Sequence, residues 1–323
     1  IRDGGYAREG DVIPLTNGCL CCTLSNDLSL QLGDLADTGK FDYIIIEASG
    51  ICEPIPITYT ISAFCNQSSH SDKHARLDLD NIVAVVDCAR MYDEFDGGRA
   101  LLGSSVSEDD IESLLIQQIE FCSTLVLNKV DLVTPEQLQE LRALVRGLQR
   151  DAVIVEAAHG NVPIAELVDT GRFDFDRAYR SAAWMDAMEH PEEHEDPETL
   201  EYGISTFVYH RRRPFDASAF DDFVHSWPRS VIRAKGTVWI RQDPDMDYVF
   251  EQAGRQVRLY ENGLFSDSFP EEEKRRLLAE QPELLRDWDP VCGDRRIRLC
   301  FIGRGMDRTA IETGLDACLR EWK

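Results

Sequence analysis

Short apolar segments that alternate with helix-like segments constrain this fold most. Four of them are rich in Ile, Val or Leu and apolar on both faces, which is typical of buried parallel strands: Tyr43–Glu47, Asn81–Asp87, Ser123–Asn128 and Ala152–Glu156. Helical segments lie between them, at Asp109–Phe121 and Pro135–Arg150. The second has Thr134 as its N-cap, Pro135 at its first position and Glu136 in its first turn. This alternation predicts an α/β domain with a doubly wound, mostly parallel sheet over residues 1–180.

An acidic segment ends this first domain. Asp186–Glu201 contains eight carboxylates and neither Lys nor Arg, which predicts a solvated linker over residues 181–201. A smaller α+β domain is predicted over residues 202–323. Its expected strands are Ile204–His210, Val231–Arg241, Tyr248–Ala253, Gln256–Tyr260 and Arg296–Ile302, and its expected helices are Ala217–Ser226, Glu271–Glu280 and Arg308–Arg320.

Charge and cysteine usage exclude some classes of partner. The net charge of −25 repels phosphate backbones, so a nucleic-acid partner is not expected. No apolar run approaches the roughly 18 residues of a membrane span, so no membrane partner is expected either. Most of the ten cysteines stand singly in apolar segments, where a reduced thiol behaves as a small hydrophobe. We therefore expect a reducing, cytoplasmic location.

The sequence Asn128-Lys129-Val130-Asp131 follows an apolar strand directly and precedes a helix. Ligand-binding loops of α/β sheets lie at the carboxyl ends of strands. A carboxylate such as that of Asp131 accepts hydrogen bonds from N1 and N2 of guanine, whereas adenine presents an acceptor to it. The Asn128 amide can bond the base edge, and the Lys129 stem can pack over the ring. The alternative is an ordinary polar turn from strand to helix.

Two further residues suggest a phosphate and magnesium site. Glu47 ends an apolar strand, and Gly50 follows three residues later. The carboxylate can hold a water bound to Mg²⁺, while the glycine N–H can approach a phosphate oxygen because no Cβ intervenes. Since many strands end in an acid, this pattern gains weight only because the Asn128 loop follows in the same sheet.

The sequence Gly18-Cys19-Leu20-Cys21-Cys22 indicates a metal site. A turn at Gly18 can bring the sulfurs of Cys19, Cys21 and Cys22 around one ion. Three thiolates leave the fourth position of a zinc ion open, which suits metal transfer better than a permanent structural role. A redox pair and coincidental buried thiols are the alternatives.

Histidine pairs and a basic run are weaker signals. His190 and His194 in the acidic linker, or His70 and His74, can capture a metal loosely, although histidines in polar loops are usually just solvated. The run His210–Arg213 is interpreted as the exposed edge of a strand or as a binding site for an acidic partner.

Together these motifs resemble the CobW-like GTPases, relatives of the urease and hydrogenase metal-insertion GTPases. The resemblance covers nearly the whole chain and rests on the following sequences: NGCLCCTL at 17–24, IIIEASG at 44–50, LNKVDLV at 127–133, RRRPF at 211–215, IRAKGTVWI at 232–240 and IRLCFIGRGMD at 297–307. It implies GTP hydrolysis coupled to delivery of zinc, cobalt or another divalent metal to a client protein. It further implies metal ligands at Cys19, Cys21 and Cys22, a Mg²⁺-site acid at Glu47, and guanine contacts from Asn128, Lys129 and Asp131.

One family motif is absent from the 323 residues. No G-x-x-x-x-G-K-[ST] sequence, whose backbone N–H groups cradle phosphates, occurs here. Chain order places that loop and its central strand before Ile1, so we expect the given segment alone to hydrolyse no GTP. A GTP-incompetent metal buffer or sensor is the alternative, and a scaffold that binds neither ligand is a third.

Overall fold

The computed structural model describes residues 22–48, 54–69, 77–93, 111–174, 202–254 and 256–322. Two helices open the described chain, α1 at Cys22–Thr38 and α2 at Pro54–Ser69, and neither was expected from the sequence. Leu28 and Leu32 of α1 pack against Ile61 of α2 in a small separate cluster.

A parallel sheet forms the centre of the N-terminal region. Its described strands are β1 at Val83–Asp87, β2 at Thr124–Asn128 and β3 at Val153–Ala157, in that spatial order. The pairing is level at the carboxyl end, where Asp87 lies opposite Asn128 and Asn128 lies opposite Ala157. Three of the four predicted strands are thus confirmed, each within a few residues.

Three helices connect or follow these strands: α3 at Cys88–Asp93, α4 at Ile111–Phe121 and α5 at Pro135–Leu148. The predicted start of α5 is confirmed. The Thr134 hydroxyl accepts the N–H of Gln137, and the Gln137 side chain accepts the N–H of Thr134 in return. This reciprocal cap satisfies donors that the first turn leaves unpaired, and it fixes where the loop after β2 ends.

The prediction of a strand at Tyr43–Glu47 is wrong for the described residues. This segment joins no sheet, and Ile45 and Glu47 are exposed, Ile45 by 75%. The Tyr43 hydroxyl donates to Asp80, at 2.6 Å. An apolar run shows that a segment favours burial, but a parallel strand also needs a neighbour that a crossover brings alongside, and no described strand pairs with this one.

The C-terminal region is an antiparallel sheet with helices, which confirms the predicted α+β module. Its spatial strand order is β4-β8-β5-β6-β7. The strands are β4 at Ile204–Arg211, β5 at Val231–Ile240, β6 at Asp243–Ala253, β7 at Gln256–Leu264 and β8 at Ile297–Arg304, and the helices are α6 at Ala217–His225, α7 at Glu271–Glu280 and α8 at Arg308–Cys318. No described helix is long and apolar enough to span a bilayer.

The two regions share one hydrophobic core. Leu141 and Leu148 of α5 belong to the same buried cluster as Ile204 of β4 and Ile302 of β8. Gly147 of α5 allows this approach, because a Cβ added there would lie 2.6 Å from Cγ2 of Ile204. The C-terminal sheet therefore packs directly on the helix that follows the Asn128 loop.

A buried ion pair crosses the same interface. Nε of Arg233 on β5 donates to Glu120 of α4 at 2.6 Å, and its other nitrogens bond Glu251 and the Gln252 carbonyl. The Arg233 side chain is 1% exposed and that of Glu120 is 7% exposed. A buried guanidinium is tolerated only when carboxylates and carbonyls satisfy its donors in this way.

Candidate nucleotide site at the carboxyl end of the parallel sheet

The Asn128 loop lies where three strand ends are level. Asn128 is the last residue of β2, and its side-chain oxygen accepts the Gly160 N–H at 2.9 Å. Gly160 has a φ of 69°, which favours glycine, and it follows β3 by three residues. Asn128 therefore ties the loop after β2 to the loop after β3, so that both can face the same ligand.

Lys129 adopts a left-handed backbone, with φ 63° and ψ 36°. Its Nζ contacts the Asp87 carboxylate at 2.5 Å, and the Lys129 and Asp87 side chains are 46% and 32% exposed. Burial alone would raise the pKa of Asp87, but hydrogen bonds from Lys129 and from the backbone N–H of Arg90 lower it below its usual range. The left-handed turn carries the lysine stem back across the strand ends.

Asp131 lies in the short 3-10 turn Val130–Leu132, directly after Lys129. Its side chain is 35% exposed, and its carboxylate lies 3.6 Å from Nε2 of His159, which is itself 87% exposed. This carboxylate is therefore open to an incoming pair of N–H donors. With Asn128 and Lys129 it forms a polar rim suited to a flat, hydrogen-bonding base.

The structure brings together only part of the predicted site. Asn128, Lys129 and Asp131 share one sheet edge, whereas Glu47 is exposed in the segment that joins no sheet. Gly50, Cys19 and Cys21, together with His70, His74, His190 and His194, lie outside the described residues. Cys22 opens α1, and its side chain is not described. Within the described ranges, no group of three or more His, Cys, Asp or Glu side chains could hold a metal ion.

The sequence analysis missed Asp87, and it assigned no residue of the loop Glu156–Gly160, which contains His159 and Gly160. Asp87 carried a usable signal, because it ends an apolar strand before a helix just as Asn128 does. His159 and Gly160 carried no usable sequence signal, since the loop after β3 has no distinctive pattern.

The basic run lies at the end of β4, which is an edge strand as expected. Its arginines pair within the C-terminal region, where Arg211 bonds Asp316, Arg212 bonds Asp287 and Arg213 bonds Glu321. These ion pairs connect the C-terminal sheet to α8, to the residues after it and to the segment before β8.

Two family profiles match the chain. The profile described as CobW/HypB/UreG, nucleotide-binding domain, matches residues 3–156, and the cobalamin synthesis protein CobW C-terminal domain matches residues 204–319. The first match contains the Asn128 loop and the parallel sheet, and the second contains the antiparallel sheet.

Individual proteins are also similar to this chain. The zinc-regulated GTPase metalloprotein activator 1 of Dictyostelium discoideum is 33% identical over 318 residues, 95% of this chain and 66% of that protein. The zinc chaperone CobW of Sinorhizobium sp is 30% identical over 265 residues, 78% of this chain and 71% of that protein. The Zn(II)-bound YjiA GTPase from E. coli is 18% identical, with a TM-score of 0.37, over 91% of this chain and 77% of that one.

The chain thus spans slightly less than two thirds of the Dictyostelium protein's length. With both domain profiles matched in order, it belongs to the CobW family, as a CobW/HypB/UreG nucleotide-binding domain followed by a CobW C-terminal domain.

Proposed function

We propose that this chain acts as a GTP-dependent metallochaperone, which binds guanine at Asn128, Lys129 and Asp131 and delivers a divalent metal to a client protein. The observation that carries the proposal is the level alignment of the ends of β1, β2 and β3, with Asn128 fastening the two loops. Relatives named as zinc chaperone and zinc-regulated GTPase support the same activity.

The base site favours guanine for a chemical reason. Guanine offers two adjacent N–H donors to the Asp131 carboxylate, and a partly exposed carboxylate can turn to meet both. A site that must pair a charge with donors rejects a base that lacks them, typically by about 10⁴-fold or more.

A substitution at Asp131 tests this proposal. Asp131→Asn should shift preference from guanosine towards xanthosine nucleotides, because xanthine presents a carbonyl where guanine has its amine. Competition binding with the two nucleotides measures the shift, and Asp222→Asn on α6 is a matched surface control. An unchanged preference in Asp131→Asn removes this carboxylate from the base site.

The metal is proposed to bind as cargo at Cys19, Cys21 and Cys22, with zinc or cobalt as candidates. Three thiolates suit a borderline-soft ion and leave one position open for transfer. Cobalt titration should give a thiolate charge-transfer band that the triple Cys→Ser variant loses, while Cys65→Ser on α2 retains it. An identical band in the triple variant rejects the assignment.

Hydrolysis is proposed to use Mg²⁺ near Glu47, with Gly50 close to a phosphate oxygen. The exposed Glu47 side chain is accessible to a hydrated cation. Since residues 1–323 hold no phosphate-binding loop sequence, we expect turnover only from a version that supplies one. The alternative is a metal buffer or sensor that binds the ion at the cysteine loop and hydrolyses no GTP. Mg²⁺-dependent turnover of a version extended upstream, abolished by Glu47→Gln, would reject it.

A further inference from the structure

Asp87 bonds two groups at once at the end of β1. One carboxylate oxygen accepts Lys129 Nζ at 2.5 Å, and the other accepts the Arg90 N–H of α3 at 3.0 Å. The first bond crosses from β1 to the loop after β2, and the second caps the short helix that follows. A shift of Lys129 therefore acts on the start of α3 through a charge-assisted hydrogen bond.

Helix α3 is held firmly in the core. Cys88 is fully buried and Met91 is 1% exposed. A short helix anchored by two buried side chains moves as one body, because packed interiors do not deform continuously. Its other end presents Tyr92 towards α5.

Tyr92 begins a link to the C-terminal region. Its hydroxyl donates to Glu140 of α5, and the other oxygen of the same carboxylate pairs with Arg304 of β8. The Glu140 side chain is 12% exposed and that of Arg304 is 25% exposed. One carboxylate thus joins α3, α5 and the C-terminal sheet.

The surrounding interface is tight enough to transmit movement. Gly147 meets Ile204 without room for a methyl group, and Arg233 pairs with Glu120 out of contact with water. The first contact holds α5 against β4 and the second holds α4 against β5, so that a displacement of α3 acts on the sheet that carries Arg304.

We propose that Asp87 is a positioning residue for Lys129 at the base site, and that α3 and Glu140 connect this position to Arg304 of the C-terminal domain. The inference rests on the proposed guanine site. Nucleotide occupancy fixes the lysine stem over the base, which orients Asp87 and α3 and strengthens the Tyr92–Glu140–Arg304 contact. Because coupling of binding is reciprocal, the C-terminal domain also sets nucleotide affinity.

Binding of a fluorescent GDP analogue to the whole chain tests the first step. Asp87→Asn should weaken binding about three- to ten-fold, the usual range for one charge-assisted bond that is partly exposed. Lys129→Met keeps the apolar stem and removes the charge. In that background Asp87→Asn should have no further effect, since the two residues act as one unit. If the losses of GDP affinity from Asp87→Asn and Lys129→Met add up in the double variant, Asp87 does not act by positioning Lys129.

The second step is tested at the far end. Arg304→Gln and Glu140→Gln should each weaken GDP binding about two- to three-fold, and the losses should vanish in the Asp87→Asn background. Arg304→Lys should restore part of the affinity. Arg308→Gln is the matched control, because its partner Glu312 lies on the same exposed helix turn of α8.

The outcomes separate this inference from the base-site proposal. If Asp131→Asn changes base preference while Asp87 and Arg304 variants bind like wild type, the link is wrong and the base site stands. If no variant, Asp131→Asn included, alters guanine binding, both fall. Losses in Asp87→Asn, Glu140→Gln and Arg304→Gln that are absent in Arg308→Gln, with unchanged thermal unfolding, support the link.

Discussion

The parallel sheet and the C-terminal sheet differ in how their strands are connected along the chain. Burial does not separate them: Leu127 of the central strand β2 is as fully buried as Val238 of β5, and Val83 of the edge strand β1 is about as exposed as Val257 of the edge strand β7. In the C-terminal region β5, β6 and β7 follow one another along the chain and pair as antiparallel neighbours. Such neighbours need only a tight turn, while parallel strands depend on a crossover connection. Local pattern therefore specified the second sheet more completely than the first.

The largest effect should come from breaking the contact between these two regions. Arg233→Met leaves Glu120 buried without this arginine and removes one of the two cations beside Glu251, which should cost about 3–5 kcal/mol of the free energy of unfolding. Denaturant unfolding measures the loss. Arg276→Met on α7 removes an exposed pair with Glu280 instead and should cost at most about 1 kcal/mol. Equal losses in the two variants would show that the buried pair does not hold the regions together.

A steric change tests the same contact without any charge. Gly147→Ala places a methyl group against Ile204, and overpacking of this kind typically costs about 1–3 kcal/mol. The better helix propensity of Ala offsets roughly 1 kcal/mol of it. In an Ile204→Ala background the steric loss should disappear. A Gly147→Ala variant more stable than wild type would show that the interface adjusts to the added methyl group without cost.

Removing one helix cap in each region compares the two regions directly. Thr134→Ala and Asp307→Ala each remove a side chain that accepts an N–H in the first turn of a helix, α5 and α8 respectively. Each should cost about 1 kcal/mol. Only Thr134→Ala should also weaken guanine binding, because α5 begins where the Asn128 loop ends. A matching affinity loss in Asp307→Ala would contradict this division.

The smallest expected effect is on the stability of the fold at acidic pH. Burial would raise the pKa of Glu251, but Arg233 and Lys235 lower it below the ordinary value of 4.5. Its ionised form therefore stabilises the fold above about pH 4.5, and this contribution is lost as the pH falls through the lowered pKa. Glu251→Gln should flatten the fall of stability in that range, measured by thermal unfolding against pH. Glu272→Gln on the exposed face of α7 should leave the slope unchanged.

The sequence predicted those residues of the candidate site that belong to one short pattern, and it did not predict those that folding brings there from elsewhere in the chain. Asn128, Lys129 and Asp131 were identifiable because three polar residues at a strand end form a pattern over four positions. Asp87 lies far away in sequence, and only pairing of β1 with β2 brings it to Lys129. The Tyr92–Glu140–Arg304 contact joins three elements and leaves no local pattern at all.

The sequence by itself determined the order and type of most elements, the start of α5 and both domain signatures, because periodicity, caps and short motifs are local. Tertiary structure alone decided that Tyr43–Glu47 stays out of the sheet and that α5 packs on β4. It also decided that Arg233 is buried between the regions rather than solvated. These outcomes depend on which surfaces meet, and a residue's own neighbours in the chain do not encode that.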